Sequence, residues 1–343
     1  MFVVRPVATA DIPALESLGA GARPGVHTLP KKPQAIERAV QRSMRSFAAQ
    51  VDIPSEEAYS FVLESTEDSA IVGTAAISAT AGANGTFFAF RNDVIQQVSR
   101  DLNISHSVHA LTLCSDLTSY SQLSGFYVQD RYQAGQQAAL LSRARLLFAV
   151  IAPHRFGDKF FASLTGMMDA NARSPFWEAL GRKFFKMDFL EAERIIEGAR
   201  NRTLIVELMP HYPVYVPLLP GEAQAAMGQV HAEGELPFRI LSEEGFEPDE
   251  FIDIFDGGPI LQAHKHALRS FSASMLRQVA GASAAAQDAS RLSYLISNTR
   301  EENFRAVVVD LAPLEQSDKL LLPPEALRAL DVVAGDSVLC VRL

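Results

Sequence analysis

Residues 125–151 form the pattern that most restricts how this chain can fold: a short β-prone segment, a turn and a long helix. Gly125–Val128 is apolar and β-prone. Gln136–Ile151 contains no proline or glycine and is rich in alanine and leucine, which predicts an uninterrupted helix. Predicted strands and helices alternate in this way through most of the chain. The sequence therefore predicts an α/β fold built on a mixed sheet.

Several further segments have patterns that predict local structure. Serine and proline at 174–175 predict the start of a helix, and Gly181 its end. The apolar segment Leu204–Leu208 predicts a strand, and Pro324–Leu330 a helix near the end of the chain. We also expect a loop at 82–92 and an Ala/Ser-rich flexible connection at 281–290.

Composition excludes several classes of protein. The net charge is -9, so the chain lacks the basic surface that nucleic-acid binding requires. Its two cysteines, Cys114 and Cys340, form neither a disulfide framework nor a CxxC metal site, and we expect no metal. The N-terminus has no signal-peptide pattern. The apolar stretches are shorter than the ~20 residues that span a bilayer, so we expect a cytoplasmic protein without membrane contact.

The turn before the long helix has the chemistry of a phosphate site. A helix N-terminus presents backbone N–H groups without intrahelical partners and the positive end of the helix dipole. These features bind phosphate without a charged side chain. Taken alone, the pattern is weak, and an ordinary strand-to-helix turn explains it better. The turn consists of Gln133, Ala134, Gly135, Gln136, Gln137 and Ala138.

Four segments, in the right order, resemble the GNAT acyltransferases. They are VVRPVATADIPALESL, the hairpin FVLE with IVGTAAI, the turn at 133–138 and SPFWEALGRKFF. The turn departs from the GNAT pattern Q/R-x-x-G-x-G/A, because Gln136 stands where the first glycine belongs. The resemblance implies a GNAT-like mixed twisted sheet flanked by helices, with coenzyme A bound at this turn. The implied coenzyme A contacts are Phe126, Val128, Gln133, Gly135, Gln136, Gln137 and Ala138.

Longer stretches resemble the arginine N-succinyltransferase family over essentially the whole chain. These are SPFWEALGRKFF, ELMPHYPVYVPLLP, MGQVH and FIDIFDGGP, and LTLCSDLTSYSQLSGFYV resembles the alpha subunits of the arginine/ornithine enzymes. The resemblance implies transfer of succinyl from succinyl-CoA to the α-amino group of L-arginine, and of L-ornithine as well. This reaction opens arginine breakdown by the succinyltransferase pathway. It also implies a homo-oligomer, or a hetero-oligomer with a homologous beta subunit.

The family resemblance implies a role for two positions. The family's proton donor is a histidine in the Gly-Gln-Val-His stretch, which is His231 here, and imidazole exchanges protons near neutral pH. His211 is the second candidate. The family also contacts succinyl-CoA through the backbone of its fourth strand, at a position that falls near Phe126. The family more often has leucine there, but a backbone contact survives the change of side chain.

A guanidinium substrate requires a carboxylate partner, and the succinyl carboxylate requires a cation. Asp256 is as well explained by a role in shaping the turn that leads into Gly257 and Gly258. For the succinyl group, Arg91 and Arg182 are equally possible. The carboxylates expected to bind the substrate are Asp116, Glu207, Asp253 and Asp256.

The length of 343 residues predicts more than one domain. We expect an acyl-CoA-binding GNAT-like domain at 1–200, a second GNAT-like half carrying the catalytic histidine at 201–268, and a small β-rich unit at 269–343. No Ser/His/Asp or Cys/His signature for a covalent intermediate is evident, so we expect direct transfer in a ternary complex. Two alternatives stay open: a GNAT-type acetyltransferase of another amine, and a non-catalytic alpha subunit that supports a beta partner.

Overall fold

The computed structural model describes residues 1–21, 32–83, 85–196, 202–282, 291–314 and 318–343. In these ranges the chain forms fifteen strands and eleven α-helices. The strands are β1 (Phe2–Pro6), β2 (Ala58–Ser65), β3 (Ile71–Ser78), β4 (Ala89–Ser99), β5 (Ile104–Cys114), β6 (Ser121–Val128), β7 (Lys159–Ser163), β8 (Val214–Tyr215), β9 (Glu247–Ile252), β10 (Pro259–His264), β11 (Met275–Ala282), β12 (Leu292–Asn298), β13 (Ala306–Leu311), β14 (Lys319–Leu322) and β15 (Ser337–Arg342). The helices are α1 (Ile12–Gly21), α2 (Pro33–Ala48), α3 (Gln136–Ile151), α4 (Pro175–Ala179), α5 (Gly181–Phe185), α6 (Phe189–Ile196), α7 (Arg202–Leu208), α8 (Gly221–Ala226), α9 (Glu235–Glu244), α10 (Arg269–Ser272) and α11 (Pro324–Leu330).

All fifteen strands belong to one sheet. Their order is β14-β11-β15-β12-β13-β1-β2-β3-β6-β7-β10-β9-β4-β5-β8. Most neighbours are antiparallel, whereas β6 pairs with β7, and β11 with β14, in parallel. The predicted α/β class with a mixed sheet flanked by helices is confirmed.

Helix α3 has the predicted bounds, and it packs across the centre of the sheet. Between ring centroids, Phe148 of α3 lies 5.2 Å from Phe47 of α2, and 5.1 Å and 5.5 Å from Tyr59 and Phe61 of β2. Most of the helix is buried, including Leu141 at 0% exposure. Because α3 is held against the sheet along its length, the position of its N-terminus is determined by the core.

A bulge redirects β6 in the middle of the sheet. Thr74 of β3 is paired with Tyr127, but Ala76 is paired with Ser124, so two residues of β6 face one residue of β3. Gly125 has φ +58°, the left-handed conformation that glycine adopts readily in such bulges.

Strand β7 separates from β6 close to this bulge. The described register between the two strands covers Ser121–Leu123 only, while β6 continues beside β3 to Val128. The two strands therefore splay apart beyond Leu123. We call the resulting opening between Ser124–Val128 and the chain after β7 the wedge.

The C-terminal unit is β-rich, as predicted. Strands β11–β15 and α11 enclose a hydrophobic cluster of their own, with Tyr294 and Leu330 fully buried. The unit continues the sheet, because Val4 of β1 pairs with Ala306 of β13. Of the predicted flexible connection, residues 281–282 belong to β11, and 283–290 lie outside the described residues. The division at 200/201 stays a prediction.

Three local predictions were wrong. Leu204–Leu208 is part of helix α7, because Ile205 and Met209, four residues apart, are buried while Val206 and Glu207 are exposed. The expected loop at 82–92 ends earlier, since β4 begins at Ala89. Gly181 begins α5 rather than ending α4, and a side chain there would collide with the Trp177 ring.

Among the described residues, no helix is both long enough and apolar enough to cross a bilayer.

Candidate active site

The N-terminus of α3 opens to solvent. Gly135 precedes the helix in an extended conformation and has no side chain to cap it, and Gly135 and Gln136 are exposed. The first amides of an α-helix have no intrahelical acceptor and lie at the positive end of its dipole. The Gln133 side-chain amide donates to the Val128 carbonyl and to the Asp130 carboxylate, both at 3.1 Å, which fixes the preceding turn. The backbone here suits a phosphate group.

The side chains of Gln136 and Ala138 point away from this N-terminus, whereas the end of Gln137 lies against Gly135. Gln136 donates from Nε2 to Ser293 Oγ at 2.7 Å, which ties the helix to the C-terminal unit. Ala138 is buried in the core. The Oε1 of Gln137 is buried without a hydrogen-bond partner in the described part of the chain. The backbone, rather than a side chain, is thus the feature that this turn offers to a ligand.

Phe126 lies at the bulge, where β6 begins to line the wedge. Its ring packs against the hydrophobic core and lies over the guanidinium of Arg145, 5.7 Å from ring centroid to Cζ. The backbone of Phe126 is therefore held from behind while the wedge opens beside it. Val128, farther along the strand, has a buried side chain, and its carbonyl is occupied by Gln133.

His231 lies beside the chain that leaves β7. Its backbone N–H donates to the Thr165 carbonyl at 2.9 Å, and Val230 is paired with Gly166. Consecutive strand residues direct their backbone polar groups to opposite sides. Leu164 donates to Pro259, the first residue of β10, so the Thr165 carbonyl points to the other side, toward β6. The segment carrying His231 is thus placed on the wedge side of this chain.

Phe126 and the residue that binds His231 follow the last register pair between β6 and β7. Leu123 of β6 is paired with Ala162 of β7. Three residues beyond this pair, the chain reaches Phe126 in the bulge of β6 and Thr165 just after the end of β7, and Thr165 binds the backbone of His231.

The His231 ring is oriented by its own turn. The ring is half-buried, and Nδ1 accepts the Glu233 backbone N–H at 3.3 Å. Because Nδ1 is the acceptor, a neutral ring carries its proton on Nε2. The imidazole therefore presents a donor, not an acceptor, at the nitrogen that is left for a ligand.

Two glycines allow the chain after β7 to cross the 256–258 turn closely. A Cβ on Gly258 would lie 2.2 Å from the Leu164 carbonyl oxygen, and a Cβ on Gly166 would lie 2.6 Å from that of Asp256. The Gly257 carbonyl also accepts the Gly228 N–H at 2.8 Å. The stretches MGQVH and FIDIFDGGP, distant in sequence, therefore meet at the exit of β7.

The two carboxylates of this turn have different surroundings. Asp256 is fully buried, and its oxygens accept the backbone N–H groups of Gly166 and Gly258, each at 2.8 Å. Asp253 is half-buried and accepts the Ser163 hydroxyl at 3.2 Å. Asp253 also accepts the backbone N–H groups of Phe255 and Asp256, so both carboxylates brace the turn, and Asp253 is the one that is partly exposed.

The other predicted substrate contacts lie apart from this segment. Asp116 is exposed and pairs with Arg91, with 2.8 Å between Oδ2 and Nη1. Glu207 is exposed on α7. Arg182 pairs with Glu178 on the neighbouring helix turn. Among the described contacts, none joins these groups to the wedge.

Sequence reasoning missed Thr165, Gly166 and Arg145. No local pattern identifies the first two, because their role depends on a crossing between distant segments. Arg145 had a detectable signal: it lies four residues after Leu141 and three before Phe148, on the apolar face of a long helix.

Across the described ranges, no three His, Cys, Asp or Glu residues are grouped so that they could hold a metal ion. The expectation of a metal-free protein stays a prediction.

Comparison with known proteins gives consistent matches over the whole chain. The family model of the arginine N-succinyltransferase beta subunit matches residues 2–270, and that of its C-terminal domain matches 276–342. The chain is 43% identical to arginine N-succinyltransferase subunit alpha of Pseudomonas aeruginosa, over 100% of both chains. It is 35% identical to subunit beta of the same organism, over 100% of this chain and 98% of that protein.

A solved structure gives the same result. The arginine/ornithine succinyltransferase subunit AI from Pseudomonas aeruginosa is 41% identical and superposes with a TM-score of 0.90, over 100% of this chain and 98% of that one. Sequence and structure agree along the full length, and the chain belongs to the arginine N-succinyltransferase family.

Proposed function

We propose that this protein transfers the succinyl group of succinyl-CoA to the α-amino group of L-arginine, and to that of L-ornithine. One observation carries the proposal: the backbone of His231 is held by Thr165 on the wedge side of the β7 exit, across the wedge from the bulge at Phe126. A thioester lying along β6 would place its carbonyl between them. The pyrophosphate of the coenzyme A moiety would then bind the backbone amides at the start of α3.

The reaction proceeds by direct attack in a ternary complex. The amine nitrogen bonds to the thioester carbon, the carbon–sulfur bond breaks, and the sulfur leaves as thiolate. Neither cysteine suits a covalent intermediate, because burial raises the pKa of the Cys114 thiol and raises that of Cys340 to about 12. Holding the two substrates together supplies a large part of the acceleration.

His231 acts as the proton donor in this scheme. With Nδ1 occupied by the Glu233 N–H, Nε2–H faces the ligand and gives its proton to the departing sulfur. Nε2 takes up the surplus proton of the attacking amine as it releases its own proton to the sulfur, so the transfer is concerted, the protons balance and no imidazolate forms.

Asp253 is the carboxylate that we assign to the substrate guanidinium. It is half-buried, follows β9 and contacts Ser163 at the end of β7, two residues before Thr165. Asp256, by contrast, holds the backbone on which the site is built. We retain Asp116 and Glu207 as secondary candidates, since both are exposed carboxylates.

The assembly that we propose contains either identical subunits or a homologous beta subunit. The matches to both an alpha and a beta subunit of one organism support such pairing. Both cysteines are free thiols, which agrees with the reducing conditions of the cytoplasm. Light scattering of the purified chain, with and without a co-expressed homologue, measures the assembly directly.

The reaction is tested with the purified single chain. We expect thiol release from succinyl-CoA to depend on L-arginine or L-ornithine and to exceed release from acetyl-CoA at least tenfold. Turnover with acetyl-CoA and a different amine would instead support another acetyltransferase. If the chain binds succinyl-CoA but turns over only with a homologous partner, the non-catalytic alpha subunit is the better description.

Substitution of Gly135 tests the phosphate site. We expect Gly135→Asp to raise the KM for succinyl-CoA at least tenfold, because its carboxylate would occupy the helix amides and repel the pyrophosphate. The same change should preserve stability or increase it by about 0.5–1 kcal/mol, since aspartate is a good N-cap. The extended backbone of Gly135 accepts a side chain, which would meet only the flexible end of Gln137.

Gly135→Asn is the matched control, because it caps the helix without adding charge. A smaller rise in KM for asparagine than for aspartate is expected. An unchanged KM in both variants, with folding intact, would place the pyrophosphate elsewhere.

A further inference from the structure

Arg145 is a buried cation that the proposed mechanism does not use. Its side chain is 2% exposed, and burial lowers its pKa to about 9. Within the described part of the chain, no carboxylate forms an ion pair with it. The buried arginines Arg143 and Arg155 differ, since Arg143 pairs with Glu244 and Arg155 with Glu301. Arg145 thus keeps a charge in the core without a counter-charge.

The hydrogen bonds of Arg145 converge on the bulge of β6. Nη1 donates to the carbonyl of Ala76 at 3.2 Å and to that of Ser124 at 3.3 Å. Ala76 and Ser124 are the last register pair before the bulge. Nε and Nη2 donate to the backbone carbonyl and hydroxyl of Ser142, which anchors the guanidinium to α3. One side chain therefore fastens the helix to both strands at the point where the wedge opens.

The charge itself requires an explanation. Removing an unpaired ion from water is costly, and an apolar side chain would fill the same space without that cost. Four of the five guanidinium N–H groups already have acceptors. Arg145 consequently has little capacity to bind the succinyl carboxylate directly.

The position of the charge relative to the wedge supplies the explanation. The guanidinium lies behind Phe126, 5.7 Å from its ring, on the buried side of the strand that lines the wedge. Negative charge develops on the thioester oxygen and on sulfur as the acyl group is transferred. A fixed positive charge in a dry environment stabilises such charge more strongly than it would in water.

We propose that Arg145 is a positioning residue for acyl transfer, which clamps the β6 bulge and directs a fixed positive charge toward the thioester in the wedge. This inference rests on the proposed function. The clamp fixes the backbone at Phe126 against the thioester carbonyl, and the charge favours the transition state over the neutral thioester. Its loss should therefore lower kcat and leave the KM for arginine nearly unchanged.

The test compares Arg145→Met and Arg145→Lys with Arg143→Met and Arg143→Lys. Arg143 is a suitable control because it is buried on the same helix but faces Glu244. We expect Arg145→Met to lower kcat about 10- to 100-fold, less than the loss of a direct oxyanion donor. Arg145→Lys keeps the charge with fewer donors, so its kcat should lie between those of wild type and Arg145→Met. The Arg143 variants should lower Tm while kcat stays within about twofold of wild type.

A binding measurement separates this inference from the proposed reaction. The ratio of the Kd for CoA to the Kd for succinyl-CoA, measured without acceptor, reports contact with the thioester. We expect Arg145→Met to reduce this ratio at least threefold, whereas the Arg143 variants leave it unchanged. If the wild-type protein does not transfer succinyl, the proposed function is wrong. The ratio of the two Kd values still decides the role of Arg145.

Arg145 would be purely structural if Arg145→Met lowered Tm but kept both kcat and the binding ratio of wild type. Should Arg145→Met fail to fold, Arg145→Lys decides: wild-type values for both quantities would overturn the clamp.

Discussion

We expect His231→Ala to lower kcat by about 10²- to 10⁴-fold, the usual contribution of a positioned proton donor. The Kd for CoA should stay within about twofold, because His231 lies on the β7 side of the wedge and not at the mouth of α3. Stopped-flow or steady-state thiol release, together with calorimetric titration of CoA, measures the two quantities.

The geometry of the ring suggests a sharper variant. In His231→Gln, the side-chain amide can place an N–H where Nε2–H stands, but it cannot release a proton at neutral pH. We therefore expect a kcat between those of wild type and His231→Ala. His211→Ala is the control, since His211 is exposed in another family-like stretch, and its kcat should not change. Near-wild-type turnover of His231→Ala across the pH range would show that the donor is another group.

The second large effect concerns stability. Asp256→Ala would leave the N–H groups of Gly166 and Gly258 buried without their charged acceptor. At about 1.5–3 kcal/mol for each of the two bonds, the free energy of unfolding should fall by about 3–6 kcal/mol. Because Gly166 and Thr165 support the His231 segment, kcat should fall as well. Urea unfolding and kinetics on the folded fraction measure both effects.

Asp253→Asn is the matched comparison, because it changes the half-buried carboxylate of the same turn. It should raise the KM for arginine with a smaller loss of stability, since its side chain is partly solvated. The reverse result, in which Asp256→Ala keeps full stability and raises only the KM for arginine, would make Asp256 the guanidinium ligand.

The candidate site was predictable where its residues act through their own neighbours in sequence. Gly135 and Gln136 begin a helix whose bounds follow from composition. The helix N-terminus that we propose as the phosphate site could therefore be located without coordinates. His231 was identified through a family resemblance. Its ring orientation was not, because the bond from Glu233 depends on the conformation of the turn.

Residues that act through distant contacts could not be ranked from sequence. Asp253 and Asp256 are three positions apart in one motif and looked equivalent. In the fold, the crossing of Gly166 with Gly258 covers Asp256 completely, whereas Asp253 stays half-buried. The ion pair of Asp116 with Arg91 likewise depends on the pairing of β4 with β5, which sequence alone does not give.

By itself, the sequence determined the α/β class and the helices α3 and α11, whose bounds agree with the prediction residue for residue. These features depend on local propensity and on the periodicity of apolar residues, which a linear pattern contains. Only the tertiary structure decided that α7 is a helix, that β6 and β7 splay apart, and that Arg145 lies buried beneath the bulge. Each of these depends on which distant segment covers a given face, and that is set by packing rather than by neighbours along the chain.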